Sequence, residues 1–355
     1  MALHTVAPPS ILNRNPIQKA LDGASSGDVI LVEEGLYSEQ ISIGCDKGNI
    51  RLVAKGENVV LDGKKLGNNS TAFLLNAVKG VEIRGFLIQN YSLGIAVKSG
   101  GFNRIARNKL INLITNGIQL EESEGNLVWR NEVTGAQDTG LSICSSNSNW
   151  ITKNYFHQNN YGVFLSLSSH NALINNKLLN NKVDGISTTD CLKRFGRNNF
   201  IFENQITGNQ GNGVVSSFNG VLVDNGIANN GENGITLSLG ESVAAGNQIQ
   251  NNRGKGVEIL SHLSQVNIIQ DNLILVNGNG GINLNGPTEN NLIINNRITA
   301  NLGNGINLDS QADNNKIIQN YVLGNKGEDI IDEGENNLFV DNIYRKYEKE
   351  NQEEG

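Results

Sequence analysis

A glycine leading a short alternating apolar run returns ten times between Gly94 and Gly305, and this repeat constrains the fold more than any other feature. The runs are GIAV at Gly94, GIQL at Gly117, GLSI at Gly140, GVFL at Gly162, GIST at Gly185, GVVS at Gly213, GITL at Gly234, GVEI at Gly256, and GINL at both Gly281 and Gly305. Successive steps are 23, 23, 22, 23, 28, 21, 22, 25 and 24 residues. An asparagine comb keeps the same period: Asn108, Asn131, Asn154, Asn176, Asn204, Asn225, Asn247, Asn272, Asn296, Asn320 and Asn342. Two combs in step mean stacked, nearly identical coils.

Within a coil the apolar residues alternate, which is strand periodicity. In GIQL, Ile118 and Leu120 point inward while Gln119 and Glu121 point out. A second strand places Val128, Ile151, Leu173, Ile201, Ile269, Ile293 and Ile317 at one inward position, three residues before each comb asparagine. One coil cannot bury such side chains alone, and neighbours above and below complete the core. The glycines are expected to serve a positive-φ or close-packed turn. The comb asparagines are expected to accept left-handed backbone and to ladder their amides. The LxxLxL signature of leucine-rich repeats is missing. The expected fold is all-β, a right-handed parallel β-helix of about a dozen coils with an N-terminal helical cap. At roughly 4.8 Å per coil the rod is on the order of 60 Å long.

Composition narrows the function. The net charge is −7, and with no basic stripe evident along the chain, nucleic acid is not an expected partner. The three cysteines are far apart; Cys144 and Cys191 fall two coils from one another, too far for a disulfide, and all are expected as thiols. No apolar run is long enough to span a membrane. Residues 1–10 lack the features of a signal peptide, so the chain is expected inside the cell or as a mature secreted or surface form without its leader.

The segment NPIQKAL, Asn15 to Leu21, reads as a capping helix with Asn15 as N-cap, Pro16 at N1 and Gly23 as its stop. Next comes GDVILVEEGLYSEQISI, Gly27 to Ile43. This opening, followed by NGI…NNxIxxN coils, resembles the pectin-lyase-like β-helix superfamily. The downstream coils resemble its carbohydrate-binding and sugar-hydrolase branch, which includes the periplasmic maturation proteins of nitrous oxide reductase. The resemblance implies the fold and a polysaccharide partner. It implies no single activity, because members are lyases, hydrolases, epimerases, phage tailspikes or non-enzymes. The expected divisions are an arm and cap at 1–26, the rod at 27–343, and a charged tail at 344–355.

In such a fold the outward residues of the glycine-led strands floor the cleft, and here they are mostly small and neutral. The Asn-Thr-Asp, paired-Asp, Gly-His-Gly and Arg-Ile-Lys motifs of polygalacturonase-like hydrolases are absent, as is the Asp-Pro-His of alginate epimerases. The 28-residue step from Gly185 to Gly213 carries an insertion with Asp190, Lys193, Arg194 and Arg197. Beside it Thr188 and Ser216 take inward places held by Leu, Ile or Val elsewhere, and Tyr161, Asp184 and Asp138 stand just before the glycines. A lyase or C5-epimerase acting on uronates must neutralise a carboxylate and place a base at C5. Tyr161, Asp184 and Arg194 are the candidate catalytic residues, with His157 as the other candidate base. Lys193, Arg197 and Asp190 are candidate substrate contacts. The plain alternative is a solvated insertion.

Outward residues of the second strand are apolar in many coils, Trp129, Trp150, Ile174, Phe200, Phe202, Val221, Val223, Ile268, Leu292, Ile294 and Ile318 among them. Such a strip is expected either to join copies into a homo-oligomer or to stack sugars around Trp129, Trp150 and Phe200. No cofactor is expected. The four histidines are scattered and Met1 is the only methionine, against the soft-donor clusters that copper takes. Calcium would fall to Asp184 and Asp190. Two functions therefore stand: a polysaccharide-engaging β-helix working on acidic glycans, and a non-catalytic structural or surface-display rod that oligomerises.

Overall fold

Each coil spends its apolar residues on three short strands, one more than the two the pattern suggested. In the coil of Gly117 these are Ile118–Glu121, Leu127–Trp129 and Glu132–Thr134. The third strand leaves little periodic signal because it follows the comb asparagine directly and buries one residue, Val133 here. The computed structural model is a right-handed parallel β-solenoid and describes residues 1–11, 13–189, 197–217, 219–260 and 266–345.

Glycine-led strands stack into a thirteen-stranded sheet, and the other two columns make a twenty-seven-stranded one. The two columns merge because the early strands Val29–Tyr37 and Arg51–Asp62 run through the corner that later coils break. Register is in phase from coil to coil: Ile118 pairs with Ile95 and Leu141, and Val128 with Ile105 and Ile151. Identical inward positions therefore stack, and Ile118, Leu120, Val128 and Val133 are fully buried.

The comb glycines are there for close approach. A Cβ on Gly117 would lie 2.6 Å from the carbonyl oxygen of Gly140, and one on Gly234 would lie 2.7 Å from that of Gly256. Left-handed backbone falls one residue before each comb asparagine, not on it: Arg107, Arg130 and Lys153 have φ of 55°, 54° and 57°. The asparagines themselves are buried and tie the coils together. Asn131 donates its amide to Asn154 Oδ1 at 3.0 Å and to the Ile105 carbonyl at 2.9 Å. Two further rows do the same, one through Asn126, Asn149 and Asn171, the other through Asn181, Asn209 and Asn230.

At the N-terminal end the helix Pro16–Gly23 buries Ile17 and Leu21 over the open core. Asn15 makes no side-chain cap; the Glu39 carboxylate from the next turn accepts the N–H groups of Ile17 (3.1 Å) and Gln18 (3.0 Å) instead. Sheet structure also starts before residue 27, since Leu3–Val6 pairs with Val29–Val32 in parallel. At the other end the Arg345 guanidinium and its backbone N–H reach Asp329, each at 2.9 Å. The rest of the expected tail, from residue 346, lies outside the described residues.

Candidate functional site

The residues expected before the glycines do form a column. Tyr161 follows Thr139, and Gly162 N–H donates to the Asp184 carbonyl in the next coil. Asp184, however, is buried and committed. Its Oδ1 accepts the backbone N–H of Asn212 at 2.8 Å and the Asn212 amide at 3.2 Å. Asn212 Oδ1 takes Asn233 N–H and Asn233 Oδ1 takes Lys255 N–H, so Asp184 heads one more inter-coil ladder. Tyr161 is half-buried against Phe164, ring centroids 5.8 Å apart. Asp138 is exposed in the preceding turn.

Asp190, Cys191, Lys193 and Arg194 of the insertion lie outside the described residues. Of the residues that flank them, Thr189 ends the strand Ile186–Thr189 and Arg197 opens the strand Arg197–Phe202; Arg197 is exposed and donates its backbone N–H to Ser169 Oγ at 3.0 Å. Thr189 pairs with Ser166, the last residue of the strand that Tyr161 begins, and Arg197 lies on the other sheet. Five residues at about 3.3 Å each separate the two ends of the Tyr161 strand, roughly 16 Å. His157 is farther still from Tyr161 in role: it stands on the other sheet, stacked on Tyr155 (4.0 Å) and 3.4 Å from Glu132. Thr188 and Ser216 are inward and buried as expected, and Thr188 Oγ1 accepts Ser217 N–H.

The second-strand face is apolar over many coils, but its aromatic residues are not one platform. Trp150 shares a column with Leu127, Ala172 and Phe200, whereas Trp129 stands in the neighbouring column with Ala106 and Thr152. Phe200 stacks on Phe202 at 5.5 Å. Trp150 is 56% exposed.

Around Trp129 the structure gathers what the sequence scattered. The guanidinium carbons of Arg104, Arg107 and Arg130 lie 5.0, 5.0 and 4.7 Å from the indole centroid. Arg107, Arg130 and Lys153 are the left-handed residues of successive coils, and each is exposed. On one side of them a groove of about 610 Å³ is lined by Arg84, Arg107 and Lys109 with Gly85 and Leu87. On the other a groove of about 490 Å³ is lined by Lys153, Lys177, Tyr155 and Leu179. Carboxylates are also present: Glu82 lies near Arg84 and Arg104 (3.8 and 3.7 Å), Glu132 pairs with Lys109 (3.1 Å), and Glu57 edges the first groove. Cations still outnumber them in a chain of net charge −7. The expectation of no basic stripe fails here. Residues 23 positions apart in sequence become neighbours about 4.8 Å apart.

Physically the cluster invites an anion. An indole face attracts each guanidinium by about 0.5–2 kcal/mol. Two like charges about 8 Å apart repel by roughly 2 kcal/mol at an effective dielectric of 20. A carboxylate or sulfate between them relieves that repulsion and accepts charge-assisted hydrogen bonds.

The sequence profile of the periplasmic copper-binding protein (NosD) family matches residues 21–196 and 258–354, well over half of the chain. The chain belongs to the NosD family. A right handed beta helix region profile matches residues 191–273 of this NosD-family chain. No curated protein matches the sequence. Among solved structures, the catalytic domain of a GH87 alpha-1,3-glucanase in complex with tetrasaccharides superposes at TM-score 0.65 with 13% identity, over 96% of this chain and 69% of that one. A periplasmic alginate epimerase, AlgG, gives 0.60 and 15% over 96% and 84%. The A-module of the mannuronan C-5 epimerase AlgE4 of Azotobacter vinelandii gives 0.60 and 16% over 95% and 94%. At these identities the likeness is one of fold.

Proposed function

We propose that this NosD-family β-helix binds an acidic polysaccharide, and that it does so where Trp129 lies under Arg104, Arg107 and Arg130. The observation that carries the reading is the three guanidiniums within 5.0 Å of one indole, flanked by two open grooves with exposed cations. The fold neighbours, named for acting on alginate and α-1,3-glucan, support a carbohydrate partner. A lyase or epimerase at Tyr161 is the weaker reading. Asp184 is consumed by Asn212, and Arg197 opens a strand of the other sheet. Lys193, Arg194 and Asp190 carry no weight in the choice.

The family description names copper, and the donors among the described residues do not fit it. Among the described residues no three His, Cys, Asp or Glu side chains cluster for a metal. His4 is held by Asp28, His157 by Glu132, and His170 lies 3.4 Å from the Asn198 amide. Copper selects grouped imidazole or sulfur ligands.

The test is calorimetric titration with oligomannuronate and with neutral α-1,3-glucan fragments. The acidic ligand should bind and the neutral one should not. Arg107→Gln with Arg130→Gln should weaken binding at least tenfold, since one charge-assisted bond is worth about 1.5–3 kcal/mol. Equal binding of both glycans, or none of the acidic one, refutes the reading.

A second, compatible reading comes from the apolar strip beyond Trp129. Trp150, Phe200, Phe202, Val221, Val223, Leu292 and Ile294 share one outward face. A contiguous apolar face of this kind is what a homo-oligomer buries. Sedimentation equilibrium should detect self-association that Trp150→Ser with Phe200→Ser abolishes, and a monomer at high concentration rules it out.

A further inference from the structure

We infer that the acidic glycan lies lengthwise along the rod, one anionic sugar per coil, over the turn column that runs from Gly85 through Arg107, Arg130 and Lys153 to Asn175. This rests on the polysaccharide reading above and adds the ligand's direction, length and charge pattern.

Three observations fix the direction. The turn residues are stacked by backbone bonds, Arg107 N–H to the Trp129 carbonyl, Arg130 N–H to that of Thr152, and Lys153 N–H to that of Ile174. Cations therefore recur at the coil rise of roughly 4.8 Å, which is close to the length of one pyranose residue in an extended chain. The two grooves lie along this same corner, one at each end of the column, with Lys109 in the first and Lys177 in the second. A chain laid along the strands instead would meet apolar residues on one side, since Leu127 and Trp150 occupy the next column.

The same column also sets where the site stops. In the coils after Asn175 the turn residue is Glu203 and then Asp224, with Asp271 two coils farther on. Glu203 already accepts the Asn175 amide at 2.9 Å, which fixes a carboxylate at the boundary. At the opposite end Glu57 edges the first groove and Glu34 accepts the Asn58 N–H beside it. Carboxylates at both ends repel a polyanion, so the favourable stretch covers five coils, a span of about 19 Å. The ligand this fits is a linear glycan bearing one carboxylate or sulfate on each sugar. Its bound segment is about five sugars long.

The experiment is a length series of oligomannuronates from dimer to octamer, titrated against the full chain, with sulfated glucan oligomers of equal length as a second arm. Affinity should rise with each added sugar to about five and then level off. Lys153→Gln with Lys177→Gln should weaken the hexamer at least fivefold, while thermal unfolding of the variant reports that it is folded. Glu203→Gln with Asp224→Gln should move the plateau to longer oligomers. A stronger response in the uronate arm assigns the anion as carboxylate, and a stronger one in the sulfated arm assigns sulfate. An affinity that levels off at two sugars, or a Lys153/Lys177 variant that binds the hexamer as wild type does, overturns the lengthwise placement while the binding reading survives. Failure of every acidic oligomer overturns both. Tighter binding of a single-stranded oligonucleotide of matched length shows a nucleic-acid groove and overturns the glycan assignment.

Discussion

At the scale of single residues the solenoid separates those that hold coils together from those available to a ligand. Asn176 donates to Asn204 Oδ1 and the Ile151 carbonyl and accepts from Asn154, all of it buried. Asn176→Ala should cost at least about 2 kcal/mol in urea unfolding, because it strands buried groups on two neighbouring coils. Asp184→Asn preserves the Oδ1 acceptor that Asn212 uses, and should leave both stability and glycan binding near wild type. Loss of an activity in that variant would restore the catalytic reading. The comb asparagines were legible in the sequence. The left-handed residue before each was not, because φ depends on how the corner closes and not on residue preference: Arg107, Arg130 and Lys153 adopt it against the usual bias toward Gly and Asn.

Among the elements, the two ends depend on buried or hydrogen-bonded carboxylates. Backbone N–H of Ala2, the His4 ring and backbone N–H of Ser25 hold the Asp28 carboxyl well below its ordinary value of 3.8. Burial alone would raise Asp329, but Arg345 and Asn325 outweigh it and hold it below 3.8 as well. A folded pKa below the unfolded one contributes stability that is complete above the unfolded value and is lost as pH falls through the folded one. Hydrogen-exchange protection should therefore fall in Leu3–Val6 and around Asp329 as pH drops below 3.8, before the central coils respond. Simultaneous exposure of ends and centre would contradict this. The capping helix was readable from NPIQKAL, but its capping group was not, since Glu39 is brought to Ile17 and Gln18 only by the winding of the next turn.

Over the whole molecule, periodicity explains both what the sequence disclosed and what it hid. A comb of period near 23 announces stacked coils whatever the residues between, so the solenoid could be read directly. The basic corner could not be seen by looking for a charged run, because Arg84, Arg107, Arg130, Lys153 and Lys177 are spread over 94 residues. The signal was nonetheless present: Arg107, Arg130 and Lys153 each immediately precede a comb asparagine. The insertion between Gly185 and Gly213 is conspicuous because it breaks the pattern, yet an interruption is only a local event, whereas a column accumulates charge coil by coil. If this column holds the ligand, a crystal of the full chain soaked with an oligomannuronate hexamer shows sugar density running parallel to the rod axis beside Arg107, Arg130 and Lys153; density on the glycine-led face over Tyr161 and Asp184 means that it does not.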